Sequence, residues 1–258
     1  MTGRLGVLDW GIGGLDVVAK LRAASVFTPV LYISDAGATP YGKQRDDDLA
    51  RRVRAVVDAL IAQGCDRVVV GCNAASTVLH HPALCGASVP VLGVIEPGIV
   101  AALASGVREV TVLGGQRTVD SGLYGAALRP AGLRVREVVA QPLSALIERG
   151  VLEGPALQAA LEAIVAPVRD TTAIVSACTH YLAALPALRA ALPRLQTVID
   201  PAAALVEQHF EPAPRSAMPD VFWTTGDPAA SRLAARAAFD FDAPFEAIDP
   251  ALTQLPAP

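Results

Sequence analysis

Cys72 and Cys178 each stand where a short apolar run gives way to a polar, helix-starting stretch. One context reads Arg67-Val68-Val69-Val70-Gly71-Cys72-Asn73-Ala74-Ala75-Ser76, the other Ala173-Ile174-Val175-Ser176-Ala177-Cys178-Thr179-His180-Tyr181. Apolar runs of this length bounded by small residues read as buried parallel strands. A side chain just beyond the carboxyl end of such a strand lies where α/β proteins place their chemistry. A thiolate is a base and a thiol an acid, so a pair of them suits a reaction that takes a proton from one face of a carbon and returns one to the other. A free cysteine titrates near about 8.5, and mild perturbation poises it near neutrality. The predicted helix starts add a positive dipole end that favours thiolate. Asn73 and Thr179, directly after the thiols, bring donors for carboxylates.

Other residues that could do chemistry fall to plainer readings. Cys65 and Cys85 have no polar company at a strand end and read as small buried hydrophobes. No C-x-x-C spacing occurs, so neither a zinc ribbon nor a thioredoxin-type motif is supported. His80-His81 has no carboxylate or further histidine at ligand spacing and reads as a solvated helix end, with no metal expected. Gly11, Gly13 and Gly14 lack the lysine and the spacing of a phosphate loop and read as a tight turn that admits substrate backbone. Lys20 and Lys43 are the chain's two lysines and neither sits in a pyridoxal-type context. The chemistry is expected to need no cofactor.

The elements that must position these residues alternate. Strands are predicted over Arg4–Leu8, Val30–Ser34, Arg67–Gly71, Val89–Gly93, Glu109–Leu113, Arg134–Val139, Ala173–Ser176, Thr197–Ile199 and Asp220–Trp223. Amphipathic or Ala-rich helical stretches lie between them, among them Asp46–Gln63, Thr118–Arg129, Pro155–Pro167 and Pro228–Phe239. This alternation predicts α/β architecture with parallel sheets and helical crossovers. A weak repeat supports two lobes. Gly6-Val7-Leu8-Asp9-Trp10-Gly11 and Val110-Thr111-Val112-Leu113-Gly114-Gly115 both open a strand–glycine-turn unit, and a thiol follows each at nearly equal spacing.

The 258 residues suffice for one large or two modest cores. Although 52% of residues are hydrophobic, no run is long enough to cross a bilayer, and the first residues lack a signal-peptide pattern. A cytoplasmic protein is expected. Net charge is −4, with no basic stripe for nucleic acid. Asp46-Asp47-Asp48 before Arg51-Arg52 reads as a helix start with acids on the dipole's positive end and i,i+4 pairing.

Landmarks along the chain then arrive in a specific order. They are Leu8-Asp9-Trp10-Gly11-Ile12-Gly13-Gly14, Ser34-Asp35 before Pro40-Tyr41-Gly42, Gly71-Cys72-Asn73-Ala74-Ala75-Ser76 and Gly93-Val94-Ile95-Glu96-Pro97-Gly98. Arg117-Thr118-Val119 follows with Ser121 and Tyr124, then Cys178-Thr179-His180-Tyr181, Ile199-Asp200 and Thr224-Thr225-Gly226-Asp227-Pro228. In these the chain resembles the glutamate racemases of the aspartate/glutamate racemase superfamily over nearly its whole length. The resemblance implies two pseudo-symmetric parallel-sheet α/β domains, residues 1–97 plus 207–258 and residues 98–206, with the active site in the cleft between them. It implies Cys72 and Cys178 as the acid/base pair, Asp9 as helper of Cys72, His180 as helper of Cys178, and Glu148 as an acid that orients His180. Substrate contacts are implied from Asp9 and Trp10, from Pro40, Tyr41 and Gly42, from Asn73 and Ala74, and from Thr118, Thr179 and His180. The expected partner is a small amino acid, with the assembly state, such as a homodimer, left open. D-glutamate would feed peptidoglycan precursors.

Three departures bear on the substrate. Trp10 stands where the family has serine, Ala74 where it has threonine, and Ala36-Gly37-Ala38-Thr39 carries no arginine. Losing a hydroxyl deletes a hydrogen bond worth roughly 0.5–1.5 kcal/mol, and a substrate carboxylate short of partners costs more. Either the pocket takes a different ligand, or Trp10 turns away and backbone does the binding. Aspartate, a hydantoin or another α-acidic carboxylate, and a racemase-like binding protein without turnover, stay open beside glutamate.

Overall fold

The computed structural model describes residues 3–252 and 255–256, so the outermost residues of the two expected chain-end ranges, 1–2 and 257–258, lie outside the described residues, as do 253–254. Ten strands form among the described residues: β1 (Arg4–Asp9), β2 (Val30–Ser34), β3 (Cys65–Val70), β4 (Val91–Gly93), β5 (Glu109–Gly114), β6 (Arg134–Val139), β7 (Ala173–Ala177), β8 (Thr197–Ile199), β9 (Val221–Thr224) and β10 (Phe245–Ala247). They make a six-stranded sheet in the order β10-β9-β2-β1-β3-β4 and a four-stranded sheet in the order β6-β5-β7-β8. Every pairing is parallel.

The strands read as near-continuous apolar runs because both faces of each sheet are covered. Successive residues point to opposite faces. Leu5 and Val7 of β1 enter one core with Val30 and Tyr32 of β2, while Leu8, Leu31 and Ile33 enter the core on the other face. The four-stranded sheet is covered the same way, with Leu113 and Ile174 on one face and Val112 and Val175 on the other.

The internal repeat appears as topology. β2-β1-β3-β4 and β6-β5-β7-β8 have the same second-first-third-fourth order. In both lobes a thiol follows the third strand of the unit: Cys72 just after β3 and Cys178 directly after β7. The two cysteines therefore sit at equivalent points of two α/β lobes.

Some local expectations needed correction. The stretch Thr118–Arg129 is two helices, Gln116–Asp120 and Leu123–Leu128, because Gly122 takes a left-handed φ of 64° between them. β10 was not anticipated: three residues at a sheet edge, two of them exposed, carry too little pattern to read. Cys65 is buried, but Cys85 is exposed and not a core residue. The acidic run does start the helix Asp46–Ala62, yet its charges mostly look outward. Asp48 pairs with Arg51, whereas Asp46 reaches Arg117, Asp47 reaches His81 and Arg52 turns to Asp35. No helix of the described residues is long and apolar enough to cross a membrane.

Candidate active site

Asp9 is the last residue of β1, and Cys72 lies two residues beyond β3, its neighbour in the sheet. Asp9 is buried, accepts the Trp10 N–H through Oδ1 at 2.6 Å, and stands beside the Cys72 thiol. Burial raises the Asp9 carboxyl above its ordinary value, against the opposing pull of His180 and the thiol. Burial, then the Asp9 charge, push the Cys72 thiol well above its ordinary range. This corrects the expected dipole effect. The helix after Cys72, Asn73–Ser76, is four residues long, and its end cannot outweigh desolvation and a facing carboxylate. Asp9 and the Cys72 thiol are hydrogen-bond partners, so one proton can pass between them.

The other thiol is served differently. Cys178 Sγ lies 3.6 Å from His180 Nδ1, and His180 Nε2 is bonded to Glu148 Oε1. Burial alone would lower His180, but the Glu148 charge and the hydrogen bonds at both ring nitrogens carry it well above its ordinary value. Burial acts the other way on Glu148 and pushes it up, but the His180 charge, its hydrogen bond and the Ile12 N–H at 3.0 Å hold it below its ordinary value. The result is an imidazolium seated between a carboxylate and a sulfur. Beyond Cys178 the chain makes a short 3₁₀ turn, Tyr181–Ala184, before the helix Leu185–Ala191, so the expected helix start is displaced. The buried Tyr181 hydroxyl is raised by burial and by the neighbouring Cys178.

The two halves meet. Thr179 Oγ1 donates to Asp9 Oδ2 at 3.3 Å, and Tyr124 donates its hydroxyl proton to Asn73 Oδ1 at 2.9 Å. Cys72 and Cys178 are near enough for the charge of one to act on the other. Asn73 Nδ2 stays buried without a partner, a donor held ready at the Cys72 turn. Gly11 and Gly13 of the first turn lie directly against the opposite lobe, whereas Gly14 packs on Asp9 and Tyr32. A Cβ on Gly11 would sit 1.9 Å from Glu148 Oε1, and one on Gly13 would sit 2.5 Å from Thr179 Oγ1 and 2.6 Å from the His180 ring. Tyr32 fixes that turn by donating its hydroxyl proton to the Gly11 carbonyl at 2.7 Å.

The remaining expected contacts divide. Trp10 spends its indole N–H on the Ala38 carbonyl at 2.9 Å, and its half-buried ring packs on the same core as Cys72 and Ala74. Tyr41 is buried and gives its hydroxyl proton to Asp35 Oδ2 at 2.8 Å, where Arg52 and Thr225 also bind Asp35. That leaves Pro40, half-buried, and Gly42, exposed, as the open part of the second turn. Thr118 is buried in the helix Gln116–Asp120. The sequence reading missed Tyr32 and Arg52 as supports, and missed that Arg117 and Tyr124, noted as landmarks, reach across to the first lobe. These contacts join positions far apart in the chain, and residue type alone carries no signal of them.

Comparison with known proteins bears on this arrangement. The Asp/Glu/Hydantoin racemase family profile matches residues 5–209. A glutamate racemase of Synechococcus sp. (strain CC9605) is 35% identical over 227 residues, 84% of either chain. The solved structure of glutamate racemase from Thermus thermophilus, in complex with β-chloro-D-alanine, is similar with a TM-score of 0.80 and 29% identity, over 96% of this chain and 97% of that one. The glutamate racemase isoform RacE1 of Bacillus anthracis shares the fold with a TM-score of 0.85 at 24% identity, over 96% of this chain and 97% of that one.

Proposed function

The chain belongs to the Asp/Glu/hydantoin racemase family, and from that premise we propose that it interconverts the enantiomers of an amino acid, glutamate, by a two-thiol mechanism that needs no cofactor. The observation that carries this reading is the pair of cysteines at equivalent strand ends of two facing lobes, each with its own acid/base partner. One sulfur, as thiolate, removes the α-proton; the other, as thiol, delivers a proton to the opposite face, and the chiral centre inverts. Asp9 takes the Cys72 proton when that sulfur must act as base and returns it when the sulfur must act as acid. At Cys178 one proton moves between the sulfur and His180 Nδ1: while the Glu148-held imidazolium keeps it, the sulfur is a thiolate that can act as base, and when the imidazolium gives it up, the sulfur is the thiol that acts as acid.

Substrate carboxylate groups are held by Asn73 Nδ2, by Thr118 and Thr179, and by main-chain N–H groups of the turns at Trp10, Pro40–Gly42 and Ala74. Trp10 supplies wall to the pocket rather than a hydrogen bond, which supports the view that backbone replaces the lost serine hydroxyl. The same reading divides the chain into residues 1–97 plus 207–258 and residues 98–206, a division supported by the strand membership of the two sheets. It also carries the expectations of a cytoplasmic enzyme whose D-glutamate enters peptidoglycan precursors.

The test is optical. Purified protein is incubated with L- or D-glutamate in D₂O without added metal or cofactor, and circular dichroism and Cα deuteration are followed together. Loss of optical activity from either enantiomer, with deuterium entering Cα, supports the proposal. A rise in melting temperature with glutamate but no exchange would identify a binding protein instead. Exchange with aspartate or a hydantoin in place of glutamate would reassign the substrate.

A further inference from the structure

Arg117 is the second lobe's reach into both substrate-facing segments of the first. Its guanidinium donates from Nε to Thr77 Oγ1 at 2.9 Å, from Nη1 to the Gln44 carbonyl at 2.7 Å and from Nη2 to Asp46 Oδ1 at 2.6 Å. The Arg117 side chain is 11% exposed, so its bonds to Thr77 and Gln44 are largely shielded from water, whereas its partner Asp46 is 79% exposed. Each acceptor belongs to a different segment. Gln44 closes the turn Tyr41–Lys43 and donates its side-chain amide to the Thr39 carbonyl at 2.6 Å. Asp46 opens the helix Asp46–Ala62. Thr77 follows the helix Asn73–Ser76 and donates its hydroxyl proton to the Ala74 carbonyl at 2.7 Å. Thr118, a proposed substrate contact, is the next residue after Arg117 in the chain.

We propose that Arg117 is a positioning residue: an inter-lobe clamp that closes the cleft over the thiols and sets the Pro40–Gly42 and Asn73–Ala74 segments against Thr118. The acceptors lie in the first lobe and the guanidinium in the second, so all three bonds persist only while the lobes are together. A planar fork with five donors can serve a hydroxyl, a carbonyl and a carboxylate at once; an ammonium of one nitrogen cannot hold that arrangement. Entry of substrate therefore requires the clamp to break, and closure re-forms it. The effect on substrate affinity rests on the racemase reading, whereas the effect on closure does not.

The chain's four cysteines supply the experiment. Cys72 and Cys178 are half-buried in the cleft, Cys85 is exposed and Cys65 is buried in the core. Ligand-free wild type, Arg117→Ala and Arg117→Lys are pulsed with iodoacetamide, and labelling of each cysteine is followed by peptide mass spectrometry. In Arg117→Ala, labelling of Cys72 and Cys178 should rise about tenfold, the scale of losing a charge-assisted hydrogen bond or two, with Cys85 and Cys65 unchanged. Arg117→Lys should fall between. With glutamate, KM should rise by a similar factor of about ten while kcat changes by less than about threefold, since closure and not the proton transfer is weakened. Unchanged labelling of Cys72 and Cys178 would overturn the clamp. So would a parallel rise at Cys65, which reports general unfolding, or a fall in kcat at constant KM. If wild type does not turn over glutamate, the proposed function fails, and the labelling rates still decide the clamp.

Discussion

Thr179 Oγ1 and Asp9 Oδ2 are hydrogen-bonded at 3.3 Å although 170 positions separate them in the chain. Asp9 ends the first strand of one lobe beside Cys72, and Thr179 directly follows Cys178 in the other. This contact joins the turn that carries Cys72 beside Asp9 to the turn that carries Cys178 beside His180. It depends on the missing side chain of Gly13, which passes directly under Thr179 and His180.

Gly13→Ala tests that dependence. The added methyl would lie 2.5 Å from Thr179 Oγ1 and 2.6 Å from His180, both part of the opposite lobe's packed site, so the lobes must move apart. Overpacking of this kind costs about 1–3 kcal/mol of stability. A displacement of about 1 Å at the reacting groups costs about a hundredfold in rate. Urea unfolding and kcat/KM on glutamate should show a far larger loss of activity than of stability. Activity within about twofold of wild type would mean that the lobes need not approach this closely, since about 1.4 kcal/mol separates tenfold rates.

The Glu148–His180 pair sets a pH window. Glu148 is held below 4.5, so its stabilising contribution is present above that value and is lost as pH falls through the lower folded value. His180 is carried well above 6.5, so its contribution is complete below 6.5 and is lost as pH rises through the higher folded value. Glu148→Gln should therefore lower the melting temperature most between these limits and less at strongly acid or alkaline pH. A hydrogen bond between charged groups suggests about 1.5–3 kcal/mol at the maximum. The alkaline limb of the rate profile should move to lower pH, because His180 loses the charge that keeps it protonated. A profile superimposable on wild type would remove Glu148 from the account.

Trp10 separates loop anchoring from ligand binding. Trp10→Phe keeps most of the ring but deletes the N–H bond to the Ala38 carbonyl, and should cost about 0.5–1.5 kcal/mol in urea unfolding. KM for glutamate should stay within about twofold, as that N–H is spent on the loop and contributes no binding difference. A KM raised tenfold or more, with stability unchanged, would show the indole N–H to be a ligand contact.

Much of this is legible in the sequence. The strand–thiol–helix contexts of Cys72 and Cys178 and the alternation of apolar runs with amphipathic stretches determined the parallel α/β architecture, because buried parallel strands must be apolar on both faces. Pro228–Phe239 was legible to the residue, since Asp227 caps it with bonds to the Ala229 and Ala230 N–H groups and Pro228 opens it. What resisted reading was non-local. Nothing in Gly11 and Gly13 tells whether the missing side chains make room for a ligand or for Glu148 and His180. Nothing in Arg117 names Thr77, Gln44 and Asp46 as its acceptors. The Cys72 thiol was expected to be lowered by a helix end and is instead raised, because burial and Asp9 are properties of the assembled site.

The central claim is that two sulfurs work on opposite faces of one carbon. Cys72→Ala and Cys178→Ala, each checked for a native circular dichroism spectrum, are incubated with L-glutamate and separately with D-glutamate in D₂O, and chiral chromatography with mass spectrometry follows enantiomer and Cα deuterium together. The account predicts that wild type inverts both enantiomers with deuterium incorporation and that neither variant inverts either one. Racemisation at the wild-type rate by either single-thiol variant would contradict it.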